Sequence, residues 1–247
     1  MTAFGLSAGD LCWLAGVAAL AGLVRGFSGF GTALIYVPLA SLSLPPLWVL
    51  VTLTVMDLIG PLPNIPRAFR DGRPRQVAVL AGTAALTLLP GLWLLDRMPA
   101  EVFRWLVAGL CLVTVILMAS GWRWSGRMTP VVTVAAGGLS GFLGGVSGLA
   151  GPPVILIYMS APLPAKVIRA NLMMFLVAWD GIFGTVLFAS GRLSLEPVLL
   201  GGTLVPLYLL ANWLGARVFG AGNGNDRAYR VVAYVLIVGA ALLALPI

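Results

Sequence analysis

Few residues in this chain can do chemistry, and most of them stand in apolar surroundings. Ser28 and Ser147 lie in two glycine-rich stretches, Gly22-Leu-Val-Arg-Gly-Phe-Ser-Gly-Phe-Gly-Thr32 and Gly141-Phe-Leu-Gly-Gly-Val-Ser-Gly-Leu-Ala-Gly151, the second followed by Pro152 and Pro153. Backbone amides freed in such a stretch, with a hydroxyl beside them, are the donor set that a small oxyanion takes. Arg25 borders the first stretch. It either supplies charge to an anion or snorkels and caps freed carbonyls. Asp57 and Asp180 are the acids deepest in apolar segments, and serve either to carry a coupling proton or pair with sodium, or as structural partners for Arg25 or a helix end. Asn171 and Asn212 either line a path or bond between helices. The chain has no histidine, which removes His-based metal sites, Ser–His nucleophiles and histidine proton relays together. With no paired Ser/Lys or Asp/Asp motif either, no enzyme and no cofactor is expected.

The elements that must position these residues are transmembrane helices. Sixty per cent of the 247 residues are hydrophobic and nine per cent charged, with a mean hydropathy of +1.03, outside the range of soluble domains. Apolar runs long enough to cross a bilayer recur along the chain, which predicts an all-α polytopic membrane protein. The alternating ten-residue segments of a membrane barrel do not occur, and no room is left for a soluble domain. No Lys or Arg precedes the first apolar run, so a cleaved signal peptide is not expected. The net charge of +7 is read as loop arginines that set topology rather than as a nucleic-acid surface. Cys12 and Cys111 read as small core hydrophobes, and Trp48, Trp93, Trp105, Trp122, Trp124 and Trp213 as an interfacial belt.

About eight hydrophobic segments are predicted: 11–44 (broken at 24–33), 47–65, 77–95, 102–120, 131–162 (broken at 144–153), 168–190, 195–215 and 230–246. The stretch 67–75 is the most basic loop, placed in the cytoplasm. At a shift of 119, Gly22, Gly26, Ser28 and Gly29 fall on Gly141, Gly145, Ser147 and Gly148, Pro45 on Pro164, and Gly72-Arg73 on Gly191-Arg192. Gly82-Thr83, Trp93 and Arg97 meet Gly202-Thr203, Trp213 and Arg217 at 120. The nearly constant offset predicts two repeats, 1–125 and 126–247, within one integral membrane domain. If each broken segment is a re-entrant hairpin followed by three crossings, the repeats are inverted. Arg67, Arg70, Arg73, Arg75, Arg123, Arg127, Lys166, Arg169, Arg217, Arg227 and Arg230 then share the cytoplasmic side, as the positive-inside rule favours. Arg25, Asp57 and Asp180 have no counterpart, so the scaffold is duplicated and the chemistry is not.

A break in a membrane helix frees N–H and C=O groups that are tolerated only inside protein or against a water-filled cavity. The breaks at 28–33 and 147–153 therefore read as a cradle for a small anion. The competing reading is close helix packing, which the spacing of Gly22/Gly26 and Gly137/Gly141/Gly145 fits.

At the two breaks the chain resembles the TauE/SafE family of sulfite exporters, through Gly29-Phe-Gly-Thr-Ala33 leading to Pro38 and Gly148-Leu-Ala-Gly-Pro152 leading into Val154-Ile-Leu-Ile-Tyr158. It departs from the family's pattern at Thr32, Ala33, Ala150 and Pro152, where glycines are usual. The resemblance implies an inner-membrane secondary transporter of sulfite, sulfoacetate or related anions. It places the substrate at Ser28 to Ala33 and Ser147 to Pro152.

The expected function is therefore export of a small organosulfur or carboxylate anion by alternating access where the two broken helices meet. Substrate-binding residues are expected at Arg25, Ser28, Gly29, Gly31, Thr32, Ser147, Gly148, Gly151, Pro152 and Asn171, with coupling of a proton or sodium at Asp57 and Asp180. An anion channel with the same hairpins is the alternative. The expected partners are the anion and the bilayer. No nucleic acid is among them, and the glycine-rich faces permit a homodimer.

Overall fold

The computed structural model describes residues 3–28, 31–60, 65–120, 129–221 and 226–246, and at residues 3, 27, 28, 159, 160, 165, 218–221 and 226–230 the backbone alone. All regular structure in these residues is helical: α1 (Ala8–Ser28), α2 (Thr32–Ala40), α3 (Pro46–Ile59), α4 (Ile65–Asp71), α5 (Pro74–Leu95), α6 (Ala100–Ala119), α7 (Pro130–Ser147), α8 (Gly151–Ser160), α9 (Ala165–Ala189), α10 (Leu195–Ala221) and α11 (Asp226–Leu243). Among the described residues six helices are long and apolar enough to cross a membrane, namely α1, α5, α6, α7, α9 and α10, while α3 and the apolar part of α11 are shorter. The protein is a multi-pass membrane protein.

Local chemistry sets the helix ends. Ser7 and Asp10 cap α1 reciprocally: Ser7 N–H donates to Asp10 Oδ2, and Asp10 N–H donates to Ser7 Oγ, both at 3.1 Å. Proline opens α5 and α7 and stands in the first turn of α8, where its missing N–H costs nothing and its fixed φ suits the helix. The breaks are consequently shorter than the sequence indicates. Helix α1 runs to Ser28, so Arg25 sits in its last turn rather than in the break. Helix α7 runs to Ser147 and α8 starts at Gly151, so Gly144 and Gly145 are helical and Pro152-Pro153 begin a helix instead of interrupting one. The basic stretch at 67–75 is not all loop, because α4 occupies its first five positions.

Each broken segment is a helical hairpin with unequal arms. The first arms have 21 and 18 residues, the second arms only 9 and 10; at 1.5 Å per residue the second arms are about 14–15 Å long, half a bilayer. Helix α2 folds back along α1, since Trp13 Nε1 near the start of α1 donates to the Leu39 carbonyl near the end of α2 at 3.1 Å. In the second hairpin Ser140 Oγ, on α7, donates to the Ala150 carbonyl at the break.

The chain forms two compact units. The first comprises residues 1–56, 99–115 and 193–247. Its axis is the packing of α1 on α10, where Gly22 and Gly26 lie against the Tyr208 and Asn212 carbonyls and Gly215 against Leu23. Helix α2 is buried on all sides, from Leu34 through Ala40, as expected of a helix apolar all round. Its Pro38 cannot donate to the Leu34 carbonyl, and the Cys111 thiol approaches that oxygen at 3.6 Å instead. Cys111 is thus a core residue, whereas Cys12 is exposed, contrary to its sequence reading.

The second unit comprises residues 57–98 and 116–192. Its axis is the packing of α5 on α7. Gly137, Gly141 and Gly145 press on the backbone of α5 at Leu80, Ala84 and Leu88. The glycines at small-xxx-small spacing therefore serve packing, as the competing reading held. Each unit takes helices from both halves of the chain. Repeat-matched residues also act alike: the Arg97 guanidinium stacks over Trp93 at 3.9 Å, and that of Arg217 over Trp213 at 3.7 Å.

Candidate substrate-binding breaks

At the first break three side chains form a polar cluster. Gly31 takes the left-handed conformation (φ 99°) needed to turn the chain into α2. Thr32, the first residue of α2, is 1 % exposed. Its hydroxyl accepts from Arg25 Nη1 at 3.1 Å and lies 3.2 Å from the Tyr208 hydroxyl of α10. Arg25 thus stands where the negative end of α1 and the positive end of α2 come together. The first-turn amides of α2 at Thr32, Ala33 and Leu34 have no carbonyl of their own helix one turn earlier, by the geometry of any helix start. A half-buried cation, a buried hydroxyl and a helix N-terminus make an anion-attracting corner. The Ser28 side chain and Gly29 lie outside the described residues.

The second break is built differently. Gly148 is left-handed (φ 75°) and donates its N–H to the Gly144 carbonyl at 2.8 Å. Ser147 Oγ donates back to the Leu143 carbonyl at 2.6 Å and accepts the Leu149 N–H at 3.3 Å. Its proton is spent on the helix that carries it. Gly151 keeps an N–H, but Pro152 and Pro153 have none, so the first turn of α8 offers two donors fewer than that of α2. The aromatic wall of this break is Trp179 of α9, packed so closely on Gly144 that a Cβ there would strike its ring. Trp179 in turn pairs with Phe183 at 5.7 Å between centroids.

Asn171 is fully buried on α9, where its Oδ1 accepts the Arg73 N–H at 2.7 Å. It does not lie at the break. Gly151 neighbours Leu176, further along α9, and the surroundings of Asn171 are Gly72, Arg73 and Tyr158. Asp57 and Asp180 are buried at 7 % and 6 % exposure, and neither is without a partner. Among the described residues no group of three metal-ligating side chains occurs.

The second unit also holds a cavity of about 510 Å³ lined by Arg67, Asp71, Lys166 and Arg169. Within it the Asp71 carboxylate is ion-paired to Lys166 at 3.0 Å, with Arg70 at 3.5 Å and Arg67 at 3.8 Å. The bond from Lys166 holds the Asp71 carboxyl below the ordinary carboxylate range.

Sequence reasoning missed Tyr208, Trp179 and Tyr158. The usable signal was chemical: a tyrosine inside an apolar span must place its hydroxyl against something polar.

Compared with known proteins, the family model described as "Sulfite exporter TauE/SafE" matches residues 14–243. No curated protein and no solved structure matches the chain.

Proposed function

The chain belongs to the sulfite exporter TauE/SafE family, a family of membrane transporters of sulfur anions, and from that premise we propose that it exports a small sulfur oxyanion across the inner membrane by alternating access. The observation that carries this reading is the corner at the first break, where Arg25 reaches Thr32 at the N-terminus of a half-helix buried at Thr32 and from Leu34 to Ala40. An anion there replaces its water shell with a guanidinium, a hydroxyl and backbone amides. Both breaks supply the turn, but donors are concentrated at the first, so the duplicated scaffold carries a one-sided site. The repeats at 1–125 and 126–247 are read as inverted, on the charge count of their loops and on the equivalent pairing of α1 with α10 and α7 with α5. Export of an anion runs with an inside-negative potential, worth about 2.3 kcal/mol per charge at 100 mV. Coupling through Asp57 or Asp180 is therefore an addition rather than a requirement.

The test is flux of labelled sulfite in proteoliposomes. A transporter saturates and is accelerated by unlabelled sulfite on the opposite side. Non-saturating flux without counter-transport would instead make it a channel. If Asp57→Asn and Asp180→Asn both leave the pH dependence of flux unchanged, proton coupling through these residues is wrong.

A further inference from the structure

Two tyrosines on the short arms, Tyr36 on α2 and Tyr158 on α8, meet polar residues of the helix that follows. In the first unit the arrangement is closed. Tyr36 donates its hydroxyl proton to Thr52 Oγ1 at 2.9 Å, and Thr52 donates to the α3 carbonyls of Trp48 and Val49 at 2.9 and 3.0 Å. Position 171 stands 119 residues beyond Thr52, the offset of the repeat, and carries asparagine.

In the second unit the arrangement is open. Tyr158 and Asn171 are both 0 % exposed and close enough to influence one another. Yet among the described residues neither the Tyr158 hydroxyl nor Asn171 Nδ2 has a hydrogen-bond partner. Buried polar groups are rarely left so. The Arg73 N–H on Asn171 Oδ1 decides which end of the amide is free, so the group on offer is the NH₂, a donor only. The turn between α4 and α5 clamps this geometry, because a side chain at Gly72 would run into Asn171 Oδ1 and Met174. Even where Tyr158 Oη takes one N–H of Asn171, the phenolic proton and the second amide proton stay unused; these want an acceptor, and the local charge selects a negative one. Arg73 lies near enough for its charge to act on the Tyr158 hydroxyl. It also lines a cavity of about 390 Å³ with Arg75, Gln76 and Thr133, with no acid among the described lining residues.

We propose that Tyr158 Oη and Asn171 Nδ2, with Arg73 as counter-charge, hold an oxygen of the transported anion at a second station within the second unit. This rests on the transport reading given above. The Tyr–Thr pair of the first unit is the same construction with its donors consumed internally, which makes it the built-in control.

The experiment uses the full chain in proteoliposomes with labelled sulfite, and measures thermal unfolding of the purified protein with and without sulfite. Tyr158→Phe removes one oxygen and no bulk. It is expected to raise the sulfite KM about tenfold or more, the scale of a lost hydrogen bond to a charged group. It should also shrink the sulfite-induced rise in Tm while leaving the ligand-free Tm unchanged or higher. Asn171→Leu should act in the same direction, and if it fails to fold, Tyr158→Phe decides alone. Tyr36→Phe should keep its KM within about twofold of the wild type. Unchanged KM and ligand shift in Tyr158→Phe, beside an active wild type, would mean that the pair holds only water and would overturn the proposal. If the wild type is neither stabilised by nor moves sulfite, sulfate, thiosulfate or sulfoacetate, the transport reading itself falls, and this site with it.

Discussion

Replacing Arg25 with glutamine separates two roles that the first break allows. The guanidinium is 3.1 Å from Thr32 Oγ1, and an oxyanion bonded to Thr32 at about 2.9 Å therefore lies within about 6 Å of the positive charge. At an effective dielectric of about 20, a unit charge pair at that distance interacts by about 2.8 kcal/mol, which is roughly two decades in affinity. Arg25→Gln should raise the sulfite KM by about a hundredfold, and Arg25→Lys, which keeps charge but loses the fork, by much less. The structural share is smaller: losing a cation at the C-terminal end of α1 costs about 0.3–1 kcal/mol, visible as a Tm lower by a few degrees. The assay is initial-rate flux into proteoliposomes over a sulfite series, beside thermal unfolding in detergent. A glutamine variant whose KM stays within about threefold while its Tm falls would refute the reasoning. Arg25 would then only cap α1 and brace Thr32.

Three further outcomes follow from packing and charge. Gly141→Ala places a methyl group into the Ala84 backbone of α5 and should destabilise the protein by about 1–3 kcal/mol; Gly82→Ala, with nothing within 4 Å, should not, and equal Tm values for the two would contradict the close approach of α5 and α7. The Asp71 carboxyl is depressed in the folded state, so its link to Lys166 is fully present above the ordinary carboxylate pKa and is lost as pH falls through the lower folded value. Unfolding followed from pH 6 to pH 3 should therefore lose an acid-side slope in Asp71→Asn. Maleimide should label Cys12 in the folded protein in detergent and reach Cys111 only after unfolding, and equal labelling rates would refute the burial of Cys111 beside Leu34.

Composition and the two glycine breaks were sufficient to read an all-helical membrane protein with broken hairpins, because apolar length and clustered glycines act locally. The repeat-matched Trp93/Arg97 and Trp213/Arg217 pairs, four residues apart, could likewise be read on one helix face, and they form the same stack in both halves. What stayed hidden depends on partners distant in the chain. Nothing near Thr32 announces Tyr208, 176 positions away, and nothing near Gly144 announces Trp179. The exact break was misjudged because glycine is a poor helix former alone but a good one where a neighbouring backbone fills its groove, as α5 does for Gly145. Helix α4 was hidden by its charges, which oppose no helix once Asp71 gathers them around one carboxylate.

The partnering of α1 with α10 has a bearing on biosynthesis. Helix α7 emerges from the ribosome after its partner α5 is already in the bilayer, so the second unit can close as soon as α9 has been made. Helix α1 must wait for a partner encoded about 170 residues later, an interval of roughly 10–35 s at ordinary translation rates. During that time its glycine face, Gly22 and Gly26, is open to lipid or to other chains. The first unit, which carries the Arg25 corner, is thus the last to be completed, because Tyr208, the third member of that polar cluster, lies on α10.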